Sequence, residues 1–277
     1  MLGAPDGRVV ASMDLLVDGR HFRRDWSTGY DIGRKAAAQN LADIAAVGAV
    51  PTGLLFGLAC PPELAVDWVE SLTDGLRDEC RPLGASVLGG DVTRGDTLTL
   101  AFTALGDLQG RPPVTRSGAR AGDVVAYTGR LGWAAAGLAV LARGFRSPVS
   151  VVGAHRRPEP PYAEGPHAAA LGATSMVDVS DGLVADLRHV ALASDVGIEL
   201  DTSRLDVPDR LRDVGSALGV DPLGWVLAGG DDHALAATFP QAAELPEQWR
   251  VIGRVARGRG VLVDGAPYPE GGWDHFR

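Results

Sequence analysis

Lysine is almost missing from this chain. Lys35 stands alone among 277 residues against 25 arginines, and no G-x-x-x-x-G-K-[ST] segment occurs, so a P-loop nucleotide site is excluded. The protein-kinase motifs are missing as well. Cysteine is scarce: Cys60 and Cys80 lie twenty positions apart, without a C-x-x-C pair or a histidine cluster. That argues against a disulfide framework or structural zinc, and for reduced thiols in a cytoplasm. A basic surplus is lacking too, since the net charge is −9, and nothing is there to draw in a nucleic acid. The start, MLGAPDGRVV, has no basic-then-apolar leader. The longest charge-free stretch, residues 44–62, is broken by Gly48, Pro51, Gly53 and Gly57 and makes a poor membrane span. A cytoplasmic globular protein with chain enough for two cores is expected.

What is abundant is aspartate, 26 residues against nine glutamates, much of it beside glycine. Residues 8–17 read as a strand, and from Asp31, taken as an N-cap, an alanine-rich helix runs to Gly48. Leu64, Trp68, Leu72 and Leu76 recur every four residues and predict a second helix. SVLGGD (86–91) reads as a buried strand running into a glycine turn, and residues 97–106 as a half-buried strand. The Gly-, Pro- and Arg-rich segment 109–123 shows no periodicity. It predicts a junction between an N-terminal domain, 1–110, and a C-terminal domain, 111–277. Beyond it come a strand (124–129), a helix (131–144), a Pro-rich loop (148–166) and the strand–turn–helix MVDVSDGLVADL (176–187). Residues 224–240 suggest strand, glycine–acid turn and strand, and 251–265 a closing hairpin. The alternation suits an α+β or α/β architecture. LGGDVTRGDTLTLAFTALG and LAGGDDHALAATFP share an order of features that hints at two related halves.

Acidic residues recur at strand ends, on turns or inside apolar sequence: Asp14, Asp43, Asp91, Asp178, Asp181, Asp231 and Asp232. Some have plain structural readings. Asp181 suits a helix cap, and Asp91, Asp231 and Asp232 suit turns beside permissive glycines. Asp43 resists one, because it shares a helical face with Asn40 amid apolar residues, where an unpaired carboxylate would lose several kcal/mol of hydration. Asp178 raises the same difficulty within a strand, with Ser180 two residues on. Desolvated carboxylates with few histidines or cysteines describe ligands for a hard cation such as Mg²⁺, which is commonly held between carboxylates and substrate phosphates. Metal bridging also explains how an acidic protein can take a polyphosphate. Arg116 in TRSGARAGD and the amides of the glycine turns are the remaining groups for phosphate. His21 can contact a phosphate or an aromatic ring, or be an ordinary loop histidine. Trp273 can stack on a flat ligand or simply pack.

Taken in order, SMDLLVDGRHF, KAAAQNLADIAAVGAVP, LGGDVTRG, TRSGARAGDVVAYTGRLG, MVDVSDGLVADL, AGGDDHALAATFP and GWDHF resemble the thiamine-monophosphate kinase family. That family lies within the aminoimidazole-ribonucleotide-synthetase-like superfamily, and the resemblance runs the length of the chain. It implies a two-domain fold whose N-terminal domain forms a shared β-barrel in a homodimer, with a C-terminal α/β domain. It implies phosphorylation of thiamine monophosphate by ATP with several Mg²⁺ ions. Carried over by motif, Ser12, Asp14, Asp43, Asp91, Asp178 and Asp181 are metal-site residues. Gly90, Asp91, Arg116 and Ser180 are ATP contacts, and His21, Asp231 and Trp273 are substrate contacts.

Three departures accompany the resemblance. The family's Gly-Asp-Asp-Ala-Ala segment before the first strand has no counterpart here, which leads us to expect either a start further upstream or a shortened protein. The family's Gly-Glu-Asp-Tyr-Glu-Leu stands as Gly230-Asp231-Asp232-His233-Ala234-Leu235, and Met13 occupies a position where a hydroxyl residue is common. Rival readings are a sister enzyme, such as a selenophosphate synthetase or the hydrogenase-maturation dehydratase, and a non-catalytic nucleotide-binding dimer. The dehydratase reading expects a terminal cysteine, whereas this chain ends HFR.

Overall fold

Alternation builds the first sheet. In β1 (Val10–Val17) Ser12, Asp14 and Leu16 turn inward, whereas Ala11, Met13 and Leu15 face outward and are exposed. The computed structural model, which describes residues 3–269 and 272, follows β1 with α1 (Gly29–Ala46). This helix begins earlier than the Asp31 cap expected from sequence. Thr28 is the N-cap, its hydroxyl accepts from the Asp31 amide, and the Asp31 carboxylate accepts from the Thr28 amide. Next come β2 (Val50–Cys60), α2 (Val66–Cys80), β3 (Ser86–Arg94) and β4 (Thr99–Asp107). Gly33 and Gly75 let α1 and α2 lie backbone to backbone, since a Cβ at either would collide with a carbonyl of the other helix.

The strand order is β1-β4-β2-β3, with only β2 and β3 parallel. One face packs on the helices through Leu16, Leu54, Phe56, Leu100 and Phe102 against Ile32, Leu41, Ile44, Leu72 and Leu76. SVLGGD was expected to be buried and to turn at its glycines. Instead every residue of β3 is exposed and the strand continues through Gly-Gly-Asp to Arg94, because β3 is an edge strand with neither face covered.

Residues 108–123 carry neither helix nor strand. The second half then supplies β5 (Val124–Thr128), α3 (Trp133–Ala142), α4 (Val149–Arg156), α5 (Glu164–Ala170), β6 (Ser175–Val179), α6 (Leu183–Ser194) and β7 (Gly197–Leu200). It closes with α7 (Asp209–Leu218), α8 (Pro222–Ala228), β8 (Ala234–Phe239), β9 (Arg250–Ala256), β10 (Gly260–Val263) and β11 (Ala266–Pro267). These strands form one mixed sheet, ordered β11-β10-β7-β9-β5-β8-β6.

Three expectations are corrected here. The proline-rich stretch contains α4, for which Pro148 serves as N-cap, a position where its missing N–H costs nothing, and Val151 and Val152 are buried. GWVLA is helix, not strand: Asp221 caps α8 and Pro222 opens it. Nor do β9 and β10 form a hairpin, since both pair with β7 between them. The repeated Gly-Gly-Asp consequently sits in a strand in the first half but in the α8–β8 turn in the second, so the halves do not share the expected order. Among the described residues no helix is long and apolar enough to cross a membrane.

Candidate active site

Three polar side chains spaced four apart line one face of α1, and each reaches another element. Asp43 accepts a 2.6 Å hydrogen bond from the Ser12 hydroxyl. Gln39 donates to Asp14 Oδ2 at 2.9 Å. Lys35 pairs with Asp231 at 2.8 Å. The expected meeting of Ser12, Asp14 and Asp43 therefore forms within one chain, where β1 runs beneath α1. Gln39 and Lys35 were not anticipated, although their helical spacing with Asp43 is visible in the sequence.

Asp178, on the fully buried strand β6, joins this group from the second sheet. Burial, followed by the charges of Asp178 and Asp14, raises the Asp43 pKa to about 7, against the opposing effects of the Ser12 hydrogen bond and His233. His233 Nδ1 lies 3.1 Å from Asp178 Oδ2, with both side chains 5% exposed. Burial by itself would lower the imidazole pKa, but the hydrogen bond and charge of Asp178 raise it.

The Gly229–His233 turn reaches this place by docking on the end of β6. The amide of Asp231 donates to Ser180 O at 2.9 Å and that of His233 to Val179 O at 3.0 Å. Gly230 must be glycine here, because a Cβ would collide with the Ser180 carbonyl. Its two acids then divide their roles. Asp231 faces Lys35, whereas Asp232 Oδ1 accepts from the Ala134 amide at 2.8 Å and so caps α3, whose own N-cap, Gly132, has no side chain.

At the entry to α6 Asp186 accepts from the amides of Asp181 and Gly182, each at 3.0 Å, and its pKa is pushed to about 8 by burial and then by Asp178 and Asp181. Asp181 lies at this turn, with ligand atoms of Asp186 and His189 within 4.8 Å.

Beside these carboxylates opens a cavity of about 410 Å³, lined by Ser12, Asp43, Asp178, Thr115, Arg116 and Ser117, with Val10, Val47 and Met176 as its apolar wall. An acid cluster, one guanidinium and an apolar wall suit a phosphorylated small molecule better than a macromolecule.

The models of the AIR synthase related protein family match residues 2–108, for the N-terminal domain, and 120–265, for the C-terminal domain. A thiamine-monophosphate kinase of Mycobacterium tuberculosis is 47% identical over 279 residues, spanning 100% of this chain and 83% of the relative. The chain belongs to the thiamine-monophosphate kinase family. A solved complex of AaThiL with AMPPCP and TMP superposes with a TM-score of 0.92 at 31% identity, over 99% of this chain and 89% of that one. The hydrogenase maturation protein HypE in complex with ATP shares the fold at 20% identity, with a TM-score of 0.75 over 93% of this chain and 82% of that one.

The family's two-domain α+β fold is thus the fold of this chain, and its remaining motif residues can be located. Gly90 and Asp91 lie on β3, the opposite edge of the first sheet from β1. Three strand spacings separate them from the line of Asp14, about 14 Å. A single chain does not bring Asp91 to the other acids. Gly90 has a packing reason to be glycine, since a Cβ there would collide with the Phe56 carbonyl. His21 follows β1, and its Nδ1 accepts from the Val17 amide at 3.0 Å, which fixes the ring. Ser180 occupies the turn after β6. Met13, on the outward face and 62% exposed, points away from the family's acid cluster. Trp273 lies outside the described residues.

Proposed function

We propose that this protein transfers the γ-phosphoryl group of ATP to the phosphate of thiamine monophosphate, as a Mg²⁺-dependent homodimer of the cytoplasm. The observation that carries this reading is the convergence of Asp14, Asp43 and Asp178 beside a cavity holding Arg116, in a chain of this family. Three neighbouring carboxylates, where burial and then the charges of Asp178 and Asp14 keep the proton on Asp43 to near neutrality, form a natural ligand set for a hard divalent cation. Asp14, Asp43 and Asp178, with Ser12 beside them, would hold Mg²⁺, and Asp181 would extend the set. Bound there, Mg²⁺ supplies the positive charge that neutralises the phosphates.

The chain's own residues supply position. Arg116 offers a guanidinium to the nucleotide phosphates, with Ser180 and Gly90 as further contacts. His21, Asp231 and Trp273 contact the thiamine monophosphate molecule. An oxygen of the substrate phosphate then attacks the γ-phosphorus, a new P–O bond forms, the bond to the β–γ bridging oxygen breaks, and ADP leaves. No protein nucleophile is needed.

The bare face of the first sheet supports dimerisation. Met13, Leu15 and Leu55 are 62%, 53% and 43% exposed there, on one face by the register of β1, β4 and β2. An apolar surface of this kind bounded by two open strand edges calls for a partner. Two such sheets joined edge to edge make a closed barrel, and β3 of one copy would lie beside β1 of the other. The partner subunit's Asp91 would then complete the acid set around Asp14. In this reading residues 1–110 are the ATP-, metal- and dimer-forming domain, and 111–277 the C-terminal domain.

The direct test is incubation with ATP, Mg²⁺ and thiamine monophosphate. Thiamine diphosphate and ADP are expected in equal amounts. ATP binding with no product would sink the reading in favour of a non-catalytic binder.

A second measurement addresses the cation. Asp43 and Asp186 have folded pKa values of about 7 and about 8, above the ordinary carboxylate value, so their protons stabilise the metal-free fold. That contribution is complete below about pH 4 and is lost as pH rises through about 7 to 8. The Tm of the metal-free protein should therefore fall across this window, by about 2–4 °C for each kcal/mol lost at this chain size. Added Mg²⁺ should restore it, and by more at high pH than at low. A Mg²⁺ effect independent of pH would exclude Asp43 as its ligand.

A further inference from the structure

Lys35 is the chain's one lysine, and its side chain is only 4% exposed. Its Nζ lies 2.8 Å from Asp231 Oδ2 and 3.4 Å from the carbonyl oxygen of His155. Burying an ammonium in this way loses several kcal/mol of hydration, which an apolar residue of similar size would avoid. Its partner is held unusually as well. Asp231 sits in the left-handed region, at φ 67°, on a turn clamped to the end of β6, yet its side chain is 43% exposed. One oxygen is bound to Lys35 while carboxylate surface remains open to a ligand. Desolvation would raise the Asp231 pKa, but Lys35 leads the charges that hold it down, at about 2, so the carboxylate stays ionised.

The helix sets the scale. Lys35 and Asp43 are two steps of four apart on one face of α1, or about 12 Å along its axis. Asp43 marks the phosphate end of the site. Thiamine monophosphate, extended, carries its phosphate at one end and an aminopyrimidine at the other. We propose that Lys35 is a specificity-determining positioning residue, which holds the Asp231 carboxylate at the far end of the site to accept a hydrogen bond from the exocyclic amine of the substrate's pyrimidine ring. The inference rests on the thiamine monophosphate reading given above. It differs from a purely structural tie between the two halves of the chain, which would affect stability without distinguishing one ligand from another.

The variants Lys35→Met, Lys35→Arg and the double variant Lys35→Met/Asp231→Asn test it; the double variant removes both charges together and leaves none unpaired. Calorimetry would compare thiamine monophosphate with oxythiamine monophosphate, in which a carbonyl oxygen replaces the amine. Initial rates would give KM for thiamine monophosphate and for ATP. The wild type is expected to favour the amine. Lys35→Met should weaken thiamine monophosphate binding about tenfold, the scale of one hydrogen bond to a charged group. It should also erode the amine preference and leave KM for ATP unchanged, while Lys35→Arg retains part of the preference. If Lys35→Met does not fold, the arginine and double variants carry the comparison. Unaltered amine preference, or an equal loss for ATP and both thiamine compounds, overturns the proposal. A wild type that prefers the amine but forms no thiamine diphosphate sinks the transfer reading alone. A wild type that does not bind thiamine monophosphate overturns both.

Discussion

Asp43→Asn should lower kcat by about 10²- to 10³-fold, the usual loss when one preorganised electrostatic group leaves a reacting centre. Asparagine keeps the shape and still accepts from the Ser12 hydroxyl, now 2.6 Å from the Asp43 carboxylate. It removes one negative charge from a group in which burial, and then the charges of Asp178 and Asp14, push the Asp43 pKa up to about 7. The fold should therefore not suffer. Above neutral pH and without metal the variant should melt no lower than the wild type, because the repulsion is gone. Raised Mg²⁺ should recover part of the rate by mass action on a weakened cation site. Steady-state kinetics across a Mg²⁺ series, with melting curves alongside, check all of this. Unchanged turnover with unchanged Mg²⁺ dependence would remove Asp43 from the site.

A second large effect is expected from mixing two inactive proteins. Asp91→Asn and Asp43→Asn should each be nearly inactive as homodimers. If Asp91 acts across the interface, unfolding and refolding them together creates mixed dimers in which one site carries both substitutions and the other carries neither. With random pairing, about a quarter of wild-type activity should return. The reasoning is geometric: β1 and β3 are the two edges of one sheet, so Asp14 and Asp91 cannot meet inside a chain, whereas closure with a second sheet brings the edges together. No gain on mixing, with dimers demonstrably exchanged, would place Asp91 outside its neighbour's site.

Much of the acid cluster was legible because carboxylates inside apolar runs contradict their surroundings. Asp43 in NLADIAA and Asp178 in MVDV declared themselves in this way, whereas Ser12 came only with the family resemblance. Residues that act only through tertiary pairing were not legible. His233 gains its meaning when the glycine turn docks on β6, and Asp186 when its carboxylate accepts from the amides of Asp181 and Gly182 ahead of α6. Lys35 had the right spacing, but a lysine in a helix ordinarily reads as solvated. Among the elements, β3 was misjudged because an apolar strand looks the same at an edge as in the middle of a sheet. α4 was missed because prolines crowd its approach, and α8 because five apolar letters do not separate a short helix from a strand. The coil at 108–123 was legible because Gly, Pro and Arg left no period to follow.

The scarcity of lysine has a chemical corollary. Every other cationic side chain on this surface is a guanidinium or an imidazole, and the single side-chain primary amine is closed off beneath Asp231. Acylating reagents and aldehydes that decorate most proteins through many lysines would meet one side-chain primary amine here, and only when that ion pair opens. The rate of its modification therefore reports how often the Lys35–Asp231 pair opens, and a ligand seated on Asp231 would register as protection of a single residue.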